Sequence, residues 1–182
     1  RCQVLDFNGL PESIIAEALI ERQQIEPKTA TKIAHQAQGN YNKALKLLSD
    51  DNEDLPFEQW FVLWIRAAFK AKGNASAIQE LIIWSEEIAK LGRETQKKFL
   101  SFCIEMFRQA LLLNYQATSL VYLEPKVEKF KLENFAPFVN GNNILDIYKE
   151  LNDAMYHIER NGNAKIILTD LSIKLTRLIH KK

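Results

Sequence analysis

The sequence predicts an all-α fold in two parts, a small three-helix unit over residues 1–51 and a larger helical unit over 55–182. Three observations predict it. Apolar residues recur three and four apart along almost the whole chain. Proline and glycine stand at the ends of most of these periodic runs. One acidic, apolar-poor run, Ser49-Asp50-Asp51-Asn52-Glu53-Asp54-Leu55-Pro56, interrupts the pattern and marks a boundary.

The elements follow in order. Residues 1 to about 8 alone look extended, as the last strand of a preceding domain would. Pro11 suits a first helical turn, where its missing amide is not needed. Ile14, Ile15, Ala18 and Leu19 then form one apolar face. Pro27 opens a second helix that buries Ala30, Ile33, Ala34 and Ala37 and stops at Gly39. Asn40 can cap a third, with Ala44, Leu45, Leu47 and Leu48 turned inward. A bundle this small has little core of its own.

Beyond the boundary the helices lengthen. Residues 57–72 carry Trp60, Phe61, Trp64, Ile65 and Phe69 at helical spacing. Gly73-Asn74 is a turn, and 75–91 form the next helix, closed by Gly92. A long helix over 95–115 follows, with Phe99, Phe102, Cys103, Met106 and Phe107 on its face. Residues 116–129, which include Pro125, are the least regular stretch. A short helix over 130–139 is interrupted by Pro137. Gly141-Asn142 precedes a helix over 143–161, and Gly162-Asn163 starts the last, over 164–180. No fixed-period repeat emerges, which argues against a solenoid.

Composition limits the function classes. Hydrophobic residues make up 47% and charged residues 26%, enough to fill and solvate a packed core. The formal net charge of +1 offers no global field for nucleic acid or a membrane surface. Cys2 and Cys103 form no CxxC pair and suit a reducing cytoplasm, which is the expected location. No apolar run reaches the ~20 residues of a membrane span, and no signal-peptide pattern is present.

Candidate chemistry is sparse. His35, His157 and His180 fall on different helices, and none has a metal-ligand partner at suitable spacing. Glu86-Glu87 and Asp50-Asp51 are adjacent acids, whereas an acid–base pair must converge on one substrate. No phosphate-cradling glycine motif occurs. Trp60, Phe61 and Trp64 could stack on bases, but the acidic run before them and the near-isolation of Arg66 favour core packing. Lys97-Lys98 and Lys181-Lys182 read as solvated tips. No catalytic, metal or cofactor site is therefore expected.

Three stretches carry a family resemblance. Arg1-Cys2-Gln3-Val4-Leu5-Asp6-Phe7, followed by Gly39-Asn40-Tyr41-Asn42-Lys43-Ala44-Leu45, resembles the join between the nucleotide-binding domain and the helical lid of clamp-loader AAA+ proteins. The match is to the delta-prime subunits of bacterial DNA polymerase III, of the Bacteroidetes type. Residues 151–175 look like the closing helix pair of those subunits, centred on Gly162-Asn163. In that family Ser-Arg-Cys-Gln stands at the join, so Arg1 matches an arginine finger that neutralises charge on a neighbouring subunit's phosphates. ATP-using members carry Gly-Ser-x-Arg-x-Ala in the second motif, and here Asn42 replaces the nucleotide-sensing arginine. An amide lacks the charge and the donor fork, and Lys43 is rotated about 100° away along the helix.

The resemblance implies a three-helix AAA+ lid and a helical collar domain that assembles a heteropentamer. It implies no cofactor in this chain, and polymerase activity in another subunit. The partners it implies are the delta and gamma or tau subunits and, through them, the sliding clamp and primed DNA during replication. The final helix is apolar on more than one side, which makes Ile166, Ile167, Leu171, Leu175 and Leu178 candidates for the subunit interface. Two alternatives stay open: a fragment of an ATP-hydrolysing gamma- or tau-type subunit, and an unrelated helical adaptor that binds a peptide in a groove.

Overall fold

Every regular element among the described residues (8–49, 56–123 and 125–181) of the computed structural model is helical, with nine α-helices, two 3-10 turns and no strand. The chain is therefore all-α. It divides into two units, Arg1–Leu55 and Pro56–Lys182. The expected strand over residues 1 to 8 lies, but for Asn8, outside the described residues, as do Asp50 to Leu55 of the acidic run.

The first unit holds α1 (Glu12–Gln23), α2 (Pro27–Ala37) and α3 (Tyr41–Ser49). Pro11 stands just before α1 as its N-cap, while Pro27 occupies the first turn of α2. The end of α2 differs from expectation. Gln38 takes the left-handed conformation at φ 51°, and Gly39 follows at φ +81°. Two successive left-handed residues reverse the chain before α3. Asn40 then caps α3, its Oδ1 accepting the Lys43 amide at 3.0 Å. Ile15, Leu19, Ala30, Ala34, Ala37 and Ala44 are buried, so small residues let the helices approach closely. Ile14 is 48% exposed, off the face on which it was expected. One helical step from Ile15 turns a side chain by about 100°.

The second unit is built on α4 (Phe57–Lys70), α5 (Ala75–Ala89), α6 (Arg93–Asn114), α8 (Ile144–Glu159) and α9 (Ala164–Leu178). The short α7 (Leu132–Phe135) runs into a 3-10 turn at Ala136–Phe138. Asn74 and Asn163 cap α5 and α9 by accepting the amides of Ser76 and Ile166 at 3.1 and 3.3 Å. The α5–α6 turn is closed by Gln96, which is buried and donates to the Leu91 and Ala89 carbonyls at 2.6 and 3.1 Å. Those carbonyls, at and just beyond the end of α5, would otherwise lack partners.

Helix α9 packs against α5, α8 and α4, and α6 against α8. The core between them is aromatic. Trp64 and Trp84 stack at 4.8 Å with planes 3° apart. Phe61 meets Phe107, Phe102 and Phe135 edge-on. Burying each such side chain contributes roughly 1.5–3 kcal/mol. Residues 115–123 and 125–131 form a strap whose regular structure, among the described residues, is the 3-10 turn at Thr118–Leu120. Polar bonds fasten it. Tyr122 donates its hydroxyl to Glu105 at 2.7 Å and its amide to Gln109 Oε1 at 3.0 Å. The Lys126 amide reaches Glu58 at 2.7 Å, and Arg66 donates to the Lys129 carbonyl at 3.0 Å.

Candidate interaction surface

Helix α9 follows from its own sequence. Asn163 caps it, and Thr169, Ser172 and Thr176 return their hydroxyls to carbonyls one turn back, so they cause no conflict with the helix. Its inner side is set by Leu168, Leu171, Ser172, Leu175 and Ile179, all buried. Ion pairs mark its two edges. Lys165 reaches Glu86 of α5 at 2.6 Å, and Lys174 reaches Glu150 of α8 at 2.8 Å. Lys174 also meets Asp170 at 2.8 Å, and these two carboxylates, Asp170 first, hold its ammonium well above the ordinary lysine range. Such half-exposed pairs fix geometry more than they stabilise.

Between those edges lies an outer face of Ile166, Asp170, Ile173 and Arg177, at spacings of four, three and four. Ile166 is 66% exposed and Ile173 42%. The five interface candidates therefore separate. Ile166 is open, and Ile167 and Leu178 are half-buried at the margins. Leu171 and Leu175 are corrections: at 3% and 2% exposure they belong to the core of their own unit and offer nothing to a partner. Asp170 and Arg177 were missed. The signal that could have found them is their helical register with Ile166 and Ile173.

The other sequence candidates are dispersed. Arg1, Cys2, Asp50, Asp51 and Lys182 lie outside the described residues. Asn42 is exposed on the first turn of α3. His35 pairs with Glu12 at 2.5 Å within the first unit. His157 is exposed, and His180 sits edge-on to Phe69 at 5.5 Å. Among the described residues, no group of three or more His, Cys, Asp or Glu could hold a metal ion. Phe61 and Trp64 are fully buried, and Trp60 packs half-buried against the same core, so this stripe offers no platform for bases. Arg66 is engaged by the strap. Lys97 bridges Glu94 and Glu159 at 3.6 and 3.3 Å, and Lys181 meets Asp146 at 2.9 Å. The basic clusters are thus largely compensated.

An open depression of about 480 Å³ lies between the end of α5 and the start of α9, lined by Glu86, Ala89, Lys90, Asn163, Ala164 and Lys165. Its charges pair with neighbours, Lys165 with Glu86 and Lys90 with Glu87. It carries no reactive constellation. No helix among the described residues is long and apolar enough to cross a membrane.

Comparison with protein-family models, with curated proteins and with solved structures finds no match to this chain. The functional reading therefore rests on the chain's own residues.

Proposed function

We propose that the chain is the lid and collar of a delta-prime-type clamp-loader subunit of bacterial DNA polymerase III, which binds no ATP itself and serves assembly of the loader in the cytoplasm. In this reading the first unit is the AAA+ lid and the second is the collar domain. Its partners are the delta and gamma or tau subunits, and through them the sliding clamp and primed DNA. Arg1 would act as the finger toward a neighbour's nucleotide.

The observation that carries this reading is Asn42. It is exposed on the first turn of α3, at the position to which the resemblance assigns a nucleotide-sensing arginine, and it supplies neither charge nor a donor fork. The same residue speaks against a gamma- or tau-type ATPase. The uncovered row on α9 supports an assembly role, because apolar side chains grouped on one exposed face suit a partner surface.

The test is reconstitution of the chain, within its full-length parent, with delta and gamma or tau subunits. A pentamer containing the chain is expected by size-exclusion chromatography with light scattering. Replacing Ile166→Asp should reduce its yield without lowering the melting temperature. Failure of the unaltered chain to co-assemble overturns the reading.

A further inference from the structure

We infer that Asn140-Gly141 is a site of spontaneous deamidation, and that its isoaspartate product loosens the turn holding the start of α8 to the end of α9. The inference needs only this chain and water, and does not rest on the clamp-loader reading.

Three Asn-Gly pairs occur, at 8–9, 140–141 and 161–162. A glycine after asparagine leaves its amide nitrogen unshielded by a Cβ, so the nitrogen can reach the Cγ of that asparagine. Asn8 borders residues outside the described ones, and the contrast lies between the other two pairs. Asn161-Gly162 is locked. The Gly162 amide donates to the His157 carbonyl at 2.9 Å, and Asn161 Oδ1 accepts from Arg93. A Cβ at Gly162 would lie 2.7 Å from Ile167 Cδ1, so the surroundings leave little room to close a ring there.

Asn140-Gly141 is open. Gly141 is exposed, and its amide has no hydrogen-bond acceptor among the described residues. A Cβ there would meet only the Tyr115 hydroxyl, at 3.1 Å. Asn140 Oδ1 accepts the Asn142 amide at 2.9 Å. The ring closed by that bond contains both Asn140 Cγ and the Gly141 nitrogen, which keeps the two near each other. The same donor can stabilise charge that develops on Oδ1. Base removes the Gly141 amide proton, and the nitrogen bonds to Cγ. The Cγ–Nδ2 bond then breaks and ammonia leaves with a proton from water, giving a five-membered succinimide. Water opens this ring on either side. Cleavage of the new Cγ–N bond gives aspartate. Cleavage of the original peptide bond gives isoaspartate, whose main chain runs through Cβ.

The Asn140 backbone is a fastening. Its carbonyl accepts the amides of Asn143 and Ile144 at 3.2 and 3.0 Å, and its amide donates to Asn143 Oδ1 at 3.0 Å. Asn143 is fully buried, and its Nδ2 donates to the carbonyls of Phe138 and of Leu178, the last residue of α9, at 2.8 and 3.2 Å. Aspartate keeps the backbone atoms in place. Isoaspartate turns the accepting carbonyl into a carboxylate on a side branch and lengthens the chain by one methylene.

The test is to age the native chain in warm, mildly alkaline buffer and digest it with trypsin, which puts Asn140 in the peptide 132–149 and Asn161 in 161–165. Fragmentation mass spectrometry should show deamidation roughly tenfold faster at Asn140 than at Asn161, the factor that a local opening cost of about 1.4 kcal/mol at Asn161 gives. In guanidinium chloride the two rates should converge. Gly141→Ala should slow the reaction at Asn140. Hydrogen exchange should show lost protection at the Asn143 and Ile144 amides in isoaspartate-containing chains, whereas Asn140→Asp keeps it. Equal native rates, a faster Asn161, a difference that persists in guanidinium chloride, indifference to Gly141→Ala, or full protection in isoaspartate-containing chains overturns the inference.

Discussion

The indole N–H of Trp64 donates to the hydroxyl of Ser172 at 2.8 Å, joining positions 108 residues apart. Both residues are fully buried. The serine hydroxyl in turn donates to the Leu168 carbonyl at 2.7 Å, which leaves its lone pair for the indole at the centre of an aromatic core. This bond ties α4 to α9 through the same indole that stacks on Trp84.

Removing that acceptor should be costly for so small a change. Ser172→Ala leaves the indole N–H buried and unpaired, an expected loss of about 1–3 kcal/mol. Urea unfolding followed by tryptophan fluorescence should show an earlier midpoint at unchanged slope. An unchanged midpoint would mean that water replaces the hydroxyl.

Two glycines share one backbone conformation but not one environment. Gly39 and Gly73 both have φ +81°. A Cβ at Gly39 would lie 2.9 Å from the Gly9 Cα, whereas Gly73 has nothing within 4 Å. Gly73→Ala should therefore cost only the left-handed backbone term, about 1–2 kcal/mol. Gly39→Ala adds a backbone clash and should also disturb the bond from the Leu10 amide to the Gly39 carbonyl, now 2.8 Å. Hydrogen exchange, read separately in each unit, should show the larger loss of protection in α1 to α3. Equal losses would show that Gly9 moves aside freely.

Cys103 gives stability a pH dependence. It is fully buried, and burial pushes its thiol well above the ordinary range. Below the unfolded thiol's pKa of about 8.5 both states hold the proton and nothing changes. Above it the unfolded chain loses the proton and the folded chain keeps it, so stability falls as pH rises. Against a Cys103→Ala background that slope should disappear between about pH 9 and 10. In a Cys2→Ser chain, thiol reagents should react with Cys103 only as fast as the fold opens. Rapid labelling of the native chain would contradict this.

The strap should loosen before the helices do. Tyr122→Phe deletes the hydroxyl that reaches Glu105, while Gln109 and Arg108 still contact the carboxylate at 2.8 and 3.1 Å. A loss near 1 kcal/mol corresponds to roughly fivefold faster exchange at the Tyr122 amide. The amides of α9 should keep their protection. If both slow and fast amides shift together, the strap opens only with the whole unit.

What could be read from the sequence is what the backbone decides locally. Pro27 starts α2 and Asn40 caps α3 as read, while the Gly73-Asn74 turn and the Gly162-Asn163 start turn out to hold the caps of α5 and α9. These features act within one helical turn, so neighbouring residues suffice to reveal them. The core role of Phe61 and Trp64 was equally legible, because an aromatic stripe in an acidic setting has little else to do.

The candidate surface was legible only in part. The sequence showed that the final helix carries apolar residues around much of its circumference. It could not say which of them face out, because that depends on where α4, α5 and α8 lie. Packing decided that Leu171 and Leu175 belong to the core while Ile166 and Ile173 do not. Packing also brought Glu86 to Lys165 and Glu150 to Lys174, pairs distant in the chain that fence the outer face. The sequence by itself determined which stretches are helical and most of their ends, since capping and periodicity are short-range, though not the end of α2 or the extent of α7. Only the tertiary structure decided which side of α9 remains open, since burial belongs to the contacts between helices and not to any helix alone.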